Sequence, residues 1–571
     1  MNQTGLSQSM EPTIHSVFLG KDMYKDSCVK SSHVTLPCFQ TYLHNSGIPL
    51  IFDICPLLSQ ATEFKPPKGT TIPCCSVCSS FPNQKSIEEQ TQWKCGVCGS
   101  SNSLSNGYVV PKYDEYDIVY ECDKKPVFVF IIQQTEVFTN ERVLNSIFSS
   151  INSWANNNPE SYSSVVFIGN GISYYILSKP LLVTHFESEP ETIPKFLNKN
   201  SRFQVCYRQM NSAKPDNFIA NLESVITSFK SRRLCCILFA EFIDVNETPN
   251  SSKLFSNQVS FHLFTTKSYI PLWFIRLMYR IRVFDNEELC LIGETLAQFL
   301  KSGFMFNVFY SFCLPKGFSF DSLICKEIKQ ASKGSLFFID GQSSISAQVK
   351  MNSSISSPIT TFQISLGFLS PQGTRIMRVI NWTLKVSESI NIDGVIYGCY
   401  IARNTAHRLF QDDFLTVLSA LRNDIIQTIS NWSESGYYHR QISTQYRDIP
   451  ILLYSICNSN MFSEPMINLR FVNCINYLSM SPSRVLRSLY PSLIIPPMKF
   501  PHRLSSHTIR SFRDITILKE FFGYSLTDNI PYTDLPVMKT SNPEKILHFC
   551  NDIKFTQFCE NIECEVNGKR F

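Results

Sequence analysis

Short, almost wholly apolar runs recur along the middle of the chain. Val127-Phe-Val-Phe-Ile-Ile132, Leu234 to Phe239 and Val259 to Phe264 each read as a strand buried on both faces, as parallel sheets require. Between such runs the apolar spacing turns helical. Val143, Leu144, Ile147, Phe148, Ile151 and Trp154 make one stripe, and Phe218 to Phe229 and Leu289 to Leu300 repeat the pattern. Val165 to Ile168 and Ser173 to Leu177 read as two strands about a Gly169-Asn-Gly171 hairpin turn. Strands alternating with helices predict a mostly parallel α/β sheet.

The rhythm differs on either side. Ile48 to Cys55 is extended in character. Leu336 to Ile339, Ser344 to Val349, Phe362 to Phe368 and Arg375 to Val386 are strand-like, and Asp340-Gly341 and Pro371-Gln-Gly373 between them predict hairpins in an antiparallel unit. From Ile401 to Trp432 the period is helical, and it continues through Ile451–Ile456 and Met466–Leu478. Residues 496–503 are proline-rich and read as a linker, followed by a weak strand at Ile515-Thr-Ile-Leu518 and a polar tail.

With 571 residues there is room for three to five domains of roughly 100–200 residues each. The 43% apolar and 17% charged content excludes a chain that is disordered throughout, and a net charge of +5 excludes a histone-like polycation. The longest apolar stretch, Tyr269 to Phe284, carries Arg276, Arg280 and Arg282, so it fails as a spanning helix, which needs about 20 apolar residues. Met1 to Pro12 is polar and has no apolar core of a signal peptide. The 21 cysteines are odd in number and scattered, several inside apolar runs (Cys235, Cys236, Cys325), which suits free thiols in a reducing compartment.

One cysteine pattern carries chemistry. Cys75-Ser-Val-Cys78 and Cys95-Gly-Val-Cys98 are separated by sixteen residues. Thiolates at i and i+3 on a tight knuckle face one ion, and two knuckles complete a tetrahedral four-sulfur site suited to a single structural Zn2+. Gly96 and Gly99 supply the turns; Cys74 is a neighbour that fits the knuckle less well than Cys75. No site remains open on such an ion for hydrolysis. Catalytic constellations are otherwise lacking. His33, His44, His185, His262 and His407 have no triad-like partners in sequence, Gly169-Asn-Gly171 lacks the third glycine of a phosphate loop, and Cys235-Cys236 sits in an apolar strand that would raise a thiol pKa.

Several stretches in a fixed order resemble the inner-layer subunits of the COPII vesicle coat. They are Leu36-Pro to Ile54-Cys-Pro-Leu57; Trp93-Lys-Cys95 with Asn102; Val166-Phe-Ile-Gly with Ser173-Tyr-Tyr; Leu336 to Val349 through Asp340-Gly341; and Gly373-Thr-Arg375-Ile-Met-Arg378-Val379. Leu489-Tyr-Pro-Ser-Leu493 resembles the end of the helical domain in the cargo-adaptor subunit, the Sec-twenty-four type. The similarity spans about residues 33–495. It implies a multidomain α/β plus β fold. Its parts would be an N-terminal tail (1–30), a first β-sandwich segment (31–64), a zinc ribbon (65–110), a von Willebrand A-like α/β trunk (123–322), an antiparallel β-sandwich (323–392), an all-helical domain (393–495), and a linker with a short, degenerate gelsolin-like domain (496–571).

The resemblance further implies a non-enzymatic adaptor, cytoplasmic and peripheral on endoplasmic reticulum membrane and COPII vesicles. Its partners would be the GTPase-activating coat subunit in a heterodimer, a Sar-type small GTPase, the outer-coat cage subunits, cytoplasmic tails of membrane cargo and an acidic membrane surface. Arg375 and Arg378 are then candidates for gripping acidic cargo signals, and Arg232, Arg233, Arg276, Arg280 and Arg282 for facing lipid. Departures from the pattern matter. Cys74 and Ser79 stand where the family's knuckle-flanking arginines are expected, Ile376 replaces a strand arginine, and Ile132-Gln-Gln-Thr-Glu136 offers no Asp or Ser for a second metal. Two other readings are the GTPase-activating sister subunit, with Arg503, Arg510 or Arg513 as an arginine finger, and a zinc-ribbon nucleic-acid binder. The second is disfavoured by few basic residues between the knuckles (Lys85, Lys94) and one aromatic pair (Phe81, Trp93), so no nucleic acid is expected as partner.

Overall fold

The computed structural model describes residues 27–489, apart from 68–69, 105–107, 121–125, 159–160, 169–171, 176–221, 224, 227–232, 242–258, 267–269, 285, 389–390, 422, 425–447 and 458. The N-terminal tail, Arg232, most of the expected helix at 218–229, the Tyr490-Pro-Ser-Leu493 motif, and the linker and C-terminal domain with Arg503, Arg510 and Arg513 lie outside the described residues.

The trunk is a six-stranded sheet ordered Ile172–Tyr175, Tyr162–Ile168, Val127–Gln133, Leu234–Phe239, Val259–Thr265, Met278–Val283. All neighbours run parallel except the antiparallel pair at the first edge. Phe128, Phe130 and Ile132 pack on the helices Glu141–Asn157 and Ile292–Lys301. Val127, Val129 and Ile131 point the other way, into a core shared with the helices Gly394–Arg408, Asp448–Cys457, Ile467–Ser479 and Pro482–Leu489. Unbroken apolar strands are what a sheet covered on both faces needs. The apolar stretch from Tyr269 divides into the short helix Leu272–Leu277 and the edge strand Met278–Val283. Among the described residues no helix is long and apolar enough to cross a membrane.

The sandwich has two layers. One is five-stranded, Val29–Ser31, Leu50–Ile54, Ile345–Met351, Phe318–Ile324, Ile328–Lys329. The other, eight-stranded, runs Lys333–Asp340, Phe304–Cys313, Ile359–Leu369, Arg375–Ser387, His33–Pro37, Asn391–Ile392, with Glu115–Tyr120 and Thr62–Phe64 added beside Arg375–Ser387. Phe52, Phe362 and Trp382 cluster between the layers, the first two rings 4.8 Å apart. Two expectations are corrected here. Phe304–Cys313 and Phe318–Ile324 belong to the sandwich, so the trunk stops before Phe304 and not at 322; their apolar character matches the trunk strands, and only their partners distinguish them. Asp340-Gly341 is not a hairpin turn, because the strands before and after it lie in different layers. The chain crosses there under such crowding that a Cβ on Gly341 would fall 1.7 Å from the Ser302 carbonyl oxygen. Pro371-Gln-Gly373 does close a hairpin, with Leu369 opposite Arg375.

A buried arginine ties the sandwich to the helical domain. Arg403, with no exposed surface, donates from Nη1 to Asp53 Oδ2 and Ser346 Oγ, and from Nη2 to Ser344 Oγ and the Met480 carbonyl. Its partners come from Leu50–Ile54, the Ile345–Met351 strand and its approach, and the end of Ile467–Ser479.

Candidate metal centre and basic faces

The ribbon leaves the sandwich after Thr62–Phe64 and returns at Glu115–Tyr120, two strands paired in parallel with Thr62 opposite Tyr116. A Thr71–Tyr108 bridge closes its neck, and the short strands Ile87–Glu88, Gln92–Lys94 and Ser101–Ser103 form its body. The two knuckles are built alike. In the first, the Ser79 N–H donates to the Cys75 carbonyl and the Cys75 N–H to the Ser80 carbonyl, both at 2.8 Å; in the second, Gly99 donates to Cys95 and Cys95 to Ser100, both at 2.9 Å. The residue after each second cysteine is left-handed, with φ 61° at Ser79 and 73° at Gly99. Glycine adopts that conformation freely, whereas Ser79 holds it against its Cβ. Gly96 serves close approach instead, since a Cβ there would lie 2.1 Å from Asn83 Oδ1.

The Sγ atoms of Cys75, Cys78, Cys95 and Cys98 all lie within 4.8 Å of one another. Cys75 and Cys98 are 3.6 Å apart, Cys78 and Cys95 3.7 Å. A tetrahedron with metal–sulfur bonds of about 2.3 Å has edges of about 3.8 Å, so the donor set fits an ion of zinc's size and softness. Donors are aimed at the sulfurs. The Val97 and Cys98 N–H groups reach Cys95 Sγ at 3.4 and 3.5 Å, and Ser80 Oγ stands 3.1 Å from Cys78 Sγ and 3.0 Å from Cys95 Sγ. A hydrogen bond from Cys78, with help from Ser80, pushes Cys95 down to about 4, while Cys78 rises for the same shared proton and Cys98 rises through burial. Four crowded sulfurs cannot all be thiolates alone; a dication would supply the missing charge. Asn102 Nδ2 donates to Cys75 Sγ at 3.5 Å, and its Oδ1 accepts from the Ser76 N–H at 2.8 Å and the Ser76 hydroxyl at 2.9 Å, tying the second knuckle's strand to the first knuckle. Cys74 is exposed and outside the cluster.

The ribbon is fixed to the sandwich through its backbone at Phe81 and Pro82 and through the Asn83 side chain. The Gln363 amide bonds both ways with Phe81, its Oε1 accepting at 2.7 Å and its Nε2 donating at 2.8 Å, and Tyr116 donates to the Pro82 carbonyl at 2.7 Å. Asn83 Nδ2 donates to Asn381 Oδ1 at 2.9 Å.

Arg375 and Arg378 part ways. Arg378 grips both oxygens of Asp117, at 2.7 Å from Nε and 2.6 Å from Nη2, while Nη1 donates to the Pro56 carbonyl at 2.8 Å. Only 13% of either side chain is exposed. The expectation that Arg378 meets cargo is corrected: its guanidinium clamps Glu115–Tyr120 to Arg375–Ser387 and has no fork left for a ligand. Arg375 is exposed, in register with Tyr120 at the strand end. Where the resemblance expects a knuckle arginine, at Ser79, a charge arrives from another strand: exposed Lys333 donates from Nζ to Ser79 Oγ at 3.1 Å. No local pattern reveals this contact, because the pair is 254 residues apart.

Of the arginines expected to face lipid, Arg276 is exposed and donates to the Phe410 carbonyl at 3.0 Å, and Arg233 is half-buried, its pKa lowered by desolvation. Arg280 is 5% exposed and faces inward, donating to Asp340 Oδ1 at 3.2 Å and Gln342 Oε1 at 2.8 Å; burial against that carboxylate removes it from any lipid face. Arg282, on the same side of the strand, lines a narrow cavity. At the strand end expected to lack metal ligands, Gln133 Oε1 accepts the Glu241 N–H at 2.7 Å. His33 and His262 are buried, which lowers them to about 4 and about 3, and burial also raises the Cys235 and Cys236 thiols.

No family model matches the sequence, and no curated protein matches it. Among solved structures, the ArnB paralog VWA2 from Sulfolobus acidocaldarius is similar at a TM-score of 0.34 and 9% identity, over 79% of this chain and 97% of its own. The human COPII-coat protein Sec24c is similar at a TM-score of 0.63 and 14% identity, over 83% of this chain and 77% of its own. The multidomain α/β plus β fold of this chain thus resembles that of Sec24c across most of both molecules, at an identity that makes the likeness a divergent one.

Proposed function

We propose that this chain is a non-catalytic adaptor of a COPII-type vesicle coat, cytoplasmic and recruited to the endoplasmic reticulum membrane. The observation that carries this reading is the likeness to Sec24c over 83% of the chain, far more than a trunk domain alone would give. Its partners are a GTPase-activating coat subunit, a Sar-type small GTPase, outer-coat cage subunits, cargo tails and an acidic membrane, and one Zn2+ holds its ribbon. The nucleic-acid reading is disfavoured further, because Trp93 is wholly buried in the ribbon and offers no face for base stacking. Co-expression with the GTPase-activating coat subunit, followed by gel filtration with mass determination, is expected to give a one-to-one complex. A monomer that ignores that partner would overturn the coat role. GTP hydrolysis by the small GTPase, unchanged by this chain alone, separates it from the sister subunit.

Cargo reading falls on the face that holds Arg375, Tyr120, Cys74 and Lys333. These groups are electrostatic neighbours in turn, Tyr120 with both Arg375 and Cys74, and Cys74 with Lys333. Exposed cations at both ends suit an acidic peptide. Replacing Arg375 and Lys333 together by Ala is expected to weaken an acidic cargo-tail peptide about tenfold at low salt, read by fluorescence anisotropy. Unchanged affinity would place cargo reading elsewhere.

A further inference from the structure

The free edge of the trunk sheet carries a cation with no ion pair or hydrogen bond of its own among the described residues. Met278–Val283 is the edge strand, and Arg280 and Arg282, two residues apart, face the same side. Both line a narrow cavity of about 30 Å³, walled by Thr295, Gln298, Gln342 and Arg484, with His262 at its floor. Arg280 is answered by Asp340. Arg484 Nη1 donates to Gln342 Oε1. Arg282 has neither an ion pair nor a hydrogen bond among the described residues; its neighbour Arg280 repels it, and the Asp340 carboxylate, already paired with Arg280, attracts it only from beyond ion-pair distance. His262, buried and neutral, adds no charge. Desolvation, followed by that repulsion, lowers Arg282 to about 10. A half-buried guanidinium is costly unless an anion meets it, and a pre-formed cavity in front of one is a place for that anion.

We infer that this cavity binds a phosphate group, with Arg282 as its principal ligand. The guanidinium fork matches a tetrahedral oxyanion, and the Thr295 hydroxyl and the Gln298 amide are neutral groups beside it. The volume admits one small oxyanion, a water needing about 10–15 Å³ by the same measure, and not a sugar or ring. Gln298 is exposed, so the substituent of a phosphate ester extends past it into solvent. Its amide also donates to Glu294 at 3.3 Å, one turn earlier on the helix. A soluble phosphate ester and a phosphoinositide headgroup share this chemistry. The inference does not depend on the coat role.

The full chain is melted in a series of inorganic phosphate concentrations, with ionic strength held constant by chloride. The wild-type Tm is expected to rise and saturate. Arg282→Met should respond at least about tenfold more weakly, yet melt no lower than the wild type without phosphate, because it removes a desolvated charge that has no direct partner. Gln298→Glu, an exposed change that places a carboxylate at the mouth, should also suppress the response and keeps the test informative if Arg282→Met does not fold. A phosphate response equal in all three proteins, or absent from the wild type, overturns the inference. Co-sedimentation with phosphatidylcholine vesicles, with and without phosphatidylinositol phosphate, names the source. Capture that needs both the lipid and Arg282 identifies a headgroup; a saturable phosphate response without capture identifies a soluble ester.

Discussion

Replacing Cys75 and Cys78 together by Ser is expected to release the metal, unfold the ribbon and loosen the sandwich beneath it. Structural zinc contributes roughly 10–16 kcal/mol of apparent binding free energy to folding in small domains, more than the ribbon's own small core of Trp93, Val97 and the cysteines could replace. The effect spreads because Phe81 and Asn83 are held by Gln363 and Asn381; with the ribbon gone, the Gln363 side chain keeps only Asn381 as a described partner, and the Asn381 side chain keeps Gln363 and the Asp114 carbonyl but loses Asn83. Metal content by colorimetric release and hydrogen exchange over 72–110 and 359–387 check both halves. Wild-type protein that carries no metal and melts unchanged after chelation would sink the assignment.

Arg403→Met should cost about 3–5 kcal/mol, the range for breaking a buried ion pair. The loss comes chiefly from what stays behind. Asp53 is 1% exposed, and without the guanidinium it keeps only Ser346 as a described donor. The double variant Arg403→Met/Asp53→Asn removes that stranded charge and should recover much of the loss, as seen by urea unfolding. If single and double variants unfold alike, packing rather than charge is what Arg403 supplies. The seam at stake joins the sandwich to the helical domain.

These two sites differ in how well the sequence reveals them. The cysteine ligands are legible because a knuckle is local: i and i+3 fix two sulfurs, and one spacing joins two knuckles. The trunk strands are legible for a similar reason, since Val127–Gln133 and Leu234–Phe239 carry their burial in composition. Pro371-Gln-Gly373 is legible as a turn because turn chemistry is local too. Pairing across the chain is another matter. Phe304–Cys313 has the apolar content of a trunk strand, and only its neighbours Lys333–Asp340 and Ile359–Leu369 assign it to the sandwich. Arg378 looks available until Asp117, 261 residues away, is seen to hold it; Asp53 lies 350 residues from Arg403. Asp340-Gly341 has a hairpin's residues at a crossing between layers, where the glycine is demanded by crowding against Ser302. Local rules name the residue type in such cases and miss the reason for it.

The neck of the ribbon bears on how the chain reaches this structure. Thr62 and Tyr116 are parallel neighbours, and parallel partners must be brought together across all the residues between them before any contact rewards the closure. An ion gathered by four nearby sulfurs can order the intervening loop first, and the Thr71–Tyr108 bridge then delivers both strands to the sheet edge already side by side. The metal would then act on the rate of assembly as well as on its endpoint: refolding of the sandwich edge should slow when the ion is withheld, even at residues that never touch it.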